Sequence, residues 1–348
     1  MPLSSTQLNQ GIFGEPAARL AALVLVGYLV ATLVLHPGAR APFLLVTIGN
    51  PLARIVGLMG VVPFTLGIVV QRFRAGGPAV SGWTRGIQLA LGEGWFTERL
   101  AGYAMLCLLL PPFFWCFALW KAAIPPFTAD VALAHWDRAV HGGDPFALLA
   151  SLEHPWITVG LDSAYYLWRY LLIGLVLWQG WSGTPRDRAR FWLAFILTWI
   201  LLGTVLAHLL PSAGPGFYDI VTGSSGPFAP LMTYLTQVRE THHLAFFGVH
   251  SELQELARRG EVVLGGGISA FPSLHVAMPV LGACAAWKVS RWLASAFLAF
   301  AAVIFLGSIL LGWHYALDGE VSAIGVAAIW YATGFVTRRP PPLIRSAR

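Results

Sequence analysis

The sequence predicts an all-α protein, a polytopic transmembrane helix bundle of about eight spans. Three observations carry this. Apolar residues make up 57% of the chain and charged residues only 11%, far more apolar surface than a soluble fold of this length could hide. Several stretches run for about twenty residues with few or no charges, long enough to cross roughly 30 Å of hydrocarbon. Arginine and lysine gather in alternate loops, as they do where positive charge is retained on the cytoplasmic side.

The expected spans are 17–35, 55–70, 99–121, 156–180, 190–211, 269–288, 292–313 and 317–336. The second is short, with a softer apolar lead-in from residue 42. The first is expected to be a retained helix rather than a signal peptide, because its apolar run exceeds a typical signal core and only Arg19 is basic within residues 1–20. Arg72, Arg74 and Arg85, then Arg186, Arg188 and Arg190, then Lys288 and Arg291, then Arg338, Arg339, Arg345 and Arg348 all fall on one side. That side is expected to be cytoplasmic and to hold both termini, which places segments 122–155 and 212–268 on the periplasmic, lumenal or extracellular side.

The net charge of +6 is thus a topology signal, and no nucleic-acid motif or basic stripe accompanies it. Cys107, Cys116 and Cys284 lie in apolar spans and read as small core residues rather than a disulfide framework or metal cluster. Both outer segments are long enough to carry function. In the second, Ser251 and Gln254 resemble a capping box and Gly260 a C-terminal left-handed residue, predicting a short helix over 252–259 that lies at the headgroups or acts as a lid. Arg258 and Arg259 at its end offset the helix dipole.

The stretch Gly265-Gly266-Gly267-Ile268-Ser269-Ala270-Phe271-Pro272-Ser273-Leu274-His275 leads from the second outer segment into the sixth span. Its glycines allow close backbone approach, Ser269 can cap, Pro272 suits a first helical turn, and free N–H groups at a helix start attract anions. At the outer end of the seventh span, His314 and Asp318 are four residues apart and share a face on a helical backbone. A carboxylate on one imidazole nitrogen fixes the tautomer and leaves the other free to attack. The charge rule alone puts His275 and His314 on the same side, so the two can meet.

These two tracts resemble the type-2 phosphatidic acid phosphatase superfamily, with its Pro-Ser-x-His and later His-x-x-x-Asp motifs. The tract His314-Tyr315-Ala316-Leu317-Asp318 is similar to that of the inositol phosphorylceramide synthase-like branch, as are Asp137-Arg138-Ala139-Val140-His141-Gly142-Gly143-Asp144-Pro145 and Pro211-Ser212-Ala213-Gly214-Pro215-Gly216-Phe217-Tyr218. The resemblance covers roughly residues 130–335 and implies a six-helix phosphatase-like core with interfacial helices in the outer loops. It implies that His314 attacks phosphorus, Asp318 orients it and His275 protonates the departing oxygen, with Ser273 holding phosphate and no metal or other cofactor. Tyr218, within the Pro211 tract, is a further expected substrate contact.

The chain departs from the superfamily in lacking its Lys-x6-Arg-Pro motif and in placing Ser308 where an arginine precedes the nucleophilic histidine by six. Fewer cations suit a singly charged phosphodiester better than a nearly dianionic monoester. Arg169, inside the fourth span, is a spare cation, read either as a phosphate or headgroup contact or as an intramembrane partner of Asp162 two turns away. His208 is expected to pack rather than to line the site.

The expected function is therefore transfer of a phospho-headgroup from a phosphodiester lipid to a lipid hydroxyl. The alternative is a metal-independent lipid phosphate phosphatase with water as acceptor. A transporter would place its ionisable residues at mid-membrane on broken helices, and a non-catalytic relative would not need both histidines and the aspartate. The expected organisation is a transmembrane extension over 1–98, a catalytic domain over 99–336 and a basic cytoplasmic tail over 337–348.

Overall fold

The computed structural model describes residues 15–36, 110–181, 184–224, 226–259 and 267–337. The span expected at 55–70, Gly265, Gly266 and nearly all of the basic tail lie outside them. Among the described residues every regular element is helical. The long helices are α1 (Pro16–Leu35), α2 (residues 110–122), α5 (Pro155–Trp181), α6 (Pro185–Leu209), α10 (Leu274–Ala286), α11 (Arg291–Leu310) and α12 (Ala316–Val336). Between them come α3 (Asp130–His141), α4 (Pro145–Leu148), α7 (Tyr218–Thr222), α8 (Ala229–Thr241) and α9 (Ala245–Arg259).

Of these, α1, α6, α11 and α12 are long and apolar enough to cross a membrane. Helix α5 is longer still, at 27 residues, but carries Asp162 and Arg169. Local chemistry sets the ends. Pro185 opens α6 behind Thr184, whose hydroxyl accepts the Asp187 N–H, and Ser290 caps α11 by accepting from Leu293. The last turns of α6 widen into a π-helical stretch, Leu201–Leu206.

Helix α10 packs against both α11 and α12, α6 against α1 and α12, and α11 against α5. One apolar core joins α1, α2, α5, α6, α10 and α12, with Phe114 and Phe117 set edge-on against Trp199. Helix α1 is tied in by Tyr28, whose hydroxyl meets that of Thr204 at 3.0 Å, and by Thr32, which accepts from the Trp120 indole at 2.8 Å. A second core gathers Leu133, Leu231, Leu235, Phe246, Leu311 and Tyr315 beneath the loops and short helices.

Two local expectations change. The sixth span begins at Leu274 rather than 269, and its cap is Ser273 rather than Ser269, because the Ser273 hydroxyl accepts from the Val276 N–H and residues 268–272 form irregular chain. The outer helix expected over 252–259 is α9, a 15-residue helix beginning at Ala245. Ser251 lies in its interior, donating to the Phe247 carbonyl, and the capping group comes from α5: Asp162 accepts the N–H groups of Ala245 and Phe246 at 2.6 and 3.0 Å. A cap supplied by another helix leaves no mark in the local sequence.

Candidate active site

Three loops interlock at one end of the bundle. The 311–315 loop joins α11 to α12, the 267–273 loop leads into α10, and the 212–216 loop follows α6. Gly312, at φ 71°, makes the turn that sends its carbonyl to the Gly216 N–H at 2.6 Å. Gly214, at φ 94°, lies so close to the Trp313 carbonyl that a β-carbon would sit 2.5 Å from its oxygen. Ala270 N–H donates to the Ser212 carbonyl, and Ser273 N–H to that of Asp318. Backbone, rather than flexible side chains, fixes the loops to one another.

This framework brings the two histidines together. His314 Nε2 faces His275 Nδ1 at 3.4 Å. On its other edge, His314 Nδ1 lies 2.7 Å from the Ala270 carbonyl and 3.3 Å from Asp318 Oδ2. A carbonyl oxygen only accepts, so Nδ1 carries the proton and Nε2 keeps its lone pair. This geometry is the one the expected tautomer requires, with a main-chain carbonyl as the closer partner. Asp318 divides its attention: Oδ2 also accepts the Tyr315 N–H at 3.0 Å, and Oδ1 is buried with no hydrogen-bond partner.

His275 stands in the first turn of α10 with its ring between Tyr165 and Trp168, at centroid distances of 4.6 and 4.5 Å. The Trp168 indole donates to the His275 carbonyl at 2.8 Å, which ties α5 to the start of α10. The Tyr165 hydroxyl is buried near Ser273 and Asp318 and makes no hydrogen bond of ordinary geometry.

The other expected site residues are placed differently. Ser273 is fully buried and spends its hydroxyl on the cap of α10. Tyr218 is buried against Phe228 and beneath Gly226. Arg169 is exposed on α5, with its guanidinium 4.7 Å above the Tyr166 ring. Its pairing with Asp162 is not formed, since Asp162 is occupied by α9. His208 packs as expected, with Nδ1 at the Thr204 carbonyl and its ring edge-on to Trp120. Ser308 is buried, donates to the Phe305 carbonyl and accepts the N–H groups of Trp313 and His314 through its own carbonyl.

Three groups escaped the sequence reading. Lys121, at the end of α2, lays its aliphatic chain over Gly267, in the loop that leads to His275. Asp130 and Asp137, two turns apart on α3, are both buried. Asp130 accepts from Ser212 Oγ, Ala213 N, Gly214 N and the Tyr315 hydroxyl, each at 2.9 Å. Asp137 accepts the N–H groups of Ala316 and Leu317 at 3.1 and 2.9 Å. Burial raises the Asp137 carboxyl above the usual range, against the opposing pull of those two donors. The available signal was two aspartates at helical spacing in an otherwise apolar neighbourhood. Nearby, burial lowers His250, which stacks on Phe217 at 4.0 Å. Among the described residues no three His, Cys, Asp or Glu side chains converge in an arrangement that could hold a metal ion.

An apolar helical bundle whose loops align two histidines and a buried carboxylate at one end has the build of a membrane-embedded, phosphatase-like enzyme. A family model described as the PAP2 superfamily matches residues 131–332, more than half of the chain, and the chain belongs to that superfamily. Searches of curated proteins and of solved structures find no match. Membership assigns the chain to phosphatase or phosphotransferase chemistry on lipid phosphates.

Proposed function

We propose that the protein is a lipid phosphotransferase of the inositol phosphorylceramide synthase-like kind, working through a phosphohistidine on His314. The observation that carries this is the His314 tautomer: Nδ1 is committed to Ala270 and Asp318, so the Nε2 lone pair faces His275. In the first step Nε2 bonds to phosphorus as the bond to the leaving alkoxide breaks. His275, whose Nδ1 lies 3.4 Å from that Nε2, gives the leaving oxygen its proton. In the second step His275 takes the proton of the acceptor hydroxyl, the acceptor oxygen attacks phosphorus, and the N–P bond breaks. Asp318 stabilises the positive charge that His314 gains on attack.

The donor class rests on charge. Arg169 and Ser308 supply no cation to the histidine pair, which favours a singly charged phosphodiester donor. Lys121 favours the second reading, hydrolysis of a phosphate monoester with water as acceptor, because its chain lies over Gly267 in the loop leading to His275 and offers one positive charge at this end of the bundle. In either case residues 99–336 form the catalytic domain, 1–98 an extension whose α1 packs into the bundle, and 337–348 a tail. Positive charge in alternate loops supports a site on the non-cytoplasmic face with both termini inside.

The purified protein, incubated in detergent with phosphodiester and phosphomonoester lipids, with and without ceramide or diacylglycerol, is expected to move a headgroup to the added hydroxyl, as read by mass spectrometry. Release of inorganic phosphate from monoesters alone, indifferent to the acceptor, would overturn the transferase reading in favour of the phosphatase. Topology is tested in intact cells, where cysteine placed at Ser224 should react with a membrane-impermeant thiol reagent.

A further inference from the structure

We propose that α3 is a positioning element for the His314 reaction, with Asp130 and Asp137 as positioning residues and His141 as a proton-dependent latch to α12. The proposal rests on the reading of His314 as nucleophile and adds groups outside the histidine pair.

Asp130 and Asp137 are seven residues apart, two turns of helix, and so share a face. That face meets the catalytic loops at consecutive points. Asp130 holds the Ser212 hydroxyl, the Ala213 and Gly214 N–H groups and the Tyr315 hydroxyl together, and Tyr315 follows His314 directly. Asp137 takes the N–H groups of Ala316 and Leu317, which are the first two residues of α12, immediately before Asp318. The backbone on the C-terminal side of His314, up to the residue preceding Asp318, is therefore pinned to one rigid helix. A shift of α3 is transmitted to both the attacking ring and the carboxylate behind it. Reacting groups displaced by about 1 Å lose roughly a hundredfold in rate, so a clamp of this kind acts on turnover as well as on folding.

His141 extends the clamp. Its Nδ1 lies 2.7 Å from the Asp137 carbonyl and 3.5 Å from Oδ1 of the same residue, while Nε2 lies 3.1 Å from Glu320 Oε1 on α12. The carbonyl and the ionised carboxylate are acceptors only, so both ring nitrogens must carry protons for both bonds to stand. Asp137 and Glu320 are the titratable groups facing the ring. Arg138 is turned to Asp144, and Asp318 stands one residue beyond the Asp137 contacts and two before Glu320. Burial pulls the imidazole down, but the bonds to Glu320 and Asp137 outweigh it and leave His141 raised above its ordinary value. Loss of its proton must release one of the two bonds, and the α3–α12 junction loosens.

The test uses the full-length protein in detergent with whichever short-chain lipid it turns over in the assay above, a phosphodiester with an added hydroxyl acceptor or phosphatidic acid alone. Asp137→Asn is expected to lower kcat by about 10- to 100-fold with KM within about twofold of wild type. Tyr28→Phe, which deletes the remote bond to Thr204, is the stability control and should leave kcat unchanged. His141→Gln and Glu320→Gln should each lower kcat severalfold, with the double variant no worse than either, and both should flatten the decline of kcat above the His141 titration. The clamp is overturned if Asp137→Asn keeps kcat within about twofold, or raises KM with kcat intact. If Asp137→Asn does not fold, the two partly exposed latch variants decide: unchanged kcat in both, or strictly additive losses, would overturn it. His314→Ala in the same series separates the two ideas, since retained turnover there removes the phosphohistidine reading without altering the comparison of Asp137→Asn with Tyr28→Phe.

Discussion

The two cores of this bundle are held by different physics. In the larger one, α1, α2, α5, α6, α10 and α12 meet through aromatic and aliphatic side chains such as Phe195, Trp199 and Met278. Polar groups are few, some bonded within their own helix, as when Thr198 donates to the Ala194 carbonyl, and a few between helices, as when Tyr28 meets Thr204. At the site end, backbone bonds between the loops are joined by four buried carboxylates: Asp130, Asp137, Asp162 and Asp318 each accept backbone N–H groups from a loop or helix start. Packing is non-directional and tolerates substitution if volume is kept, whereas a carboxylate holding two N–H groups fixes distance and angle. The difference teaches where accuracy is needed: the end with chemistry to perform is built from directional bonds.

Substitutions at each end can break or sharpen that contrast. The largest effect is expected at His314→Ala, which should lower turnover by at least about 10³-fold while costing only about 1–3 kcal/mol of stability through the partners it leaves at Ala270 and Asp318. Steady-state kinetics beside thermal melting would show it, and substantial residual activity in a folded variant would contradict a nucleophilic His314. Next comes the contrast itself. Asp130→Ala strands four donors and should cost on the order of 3–5 kcal/mol with loss of activity, whereas Phe195→Leu in the larger core should cost about 1–2 kcal/mol and leave kcat intact. Equal stability losses with equal activity losses would mean the two ends are not mechanically distinct.

Tyr165→Phe sharpens the point further, because it removes a buried hydroxyl that has no partner. Stability should hold or rise by up to about 1 kcal/mol, and kcat/KM should fall only if a substrate oxygen or Asp318 uses that hydroxyl during turnover. A clear loss of stability would show the hydroxyl is already paired. The smallest effect is expected at His141. Its folded value is raised, so its contribution is present in full below the unfolded value and is lost as pH rises through the folded one. The melting difference between wild type and His141→Gln should therefore be largest in mild acid and vanish in mild alkali. The opposite slope would mean His141 is held neutral.

Much of the candidate site was legible because its signals are local. The spacing of His314 and Asp318, the Pro-Ser-x-His tract and the apolar runs each depend on a few neighbouring residues and on the periods of a helix or a bilayer. Arg169 and Tyr218 are less legible: a cation in an apolar span and a tyrosine in a conspicuous tract invite a role, but their direction depends on which helix face turns inward. The roles of Lys121, Asp130 and Asp137 had only a faint local signal, the helical spacing of the two aspartates, since their partners at Gly267, Tyr315 and Leu317 lie far along the chain.

By itself, then, the sequence determined the helical class, the bundle's apolar nature and the pair of histidines with their aspartate, because those follow from composition and short-range periodicity. Only the tertiary structure decided that a carbonyl at Ala270 sets the His314 tautomer, that α5 caps α9 and flanks His275, and that α3 clamps the first turn of α12. Each of these is a bond between groups brought together by the packing of distant helices. A hydrogen bond is specified by the positions of two atoms, and those positions are fixed only when the whole bundle has closed.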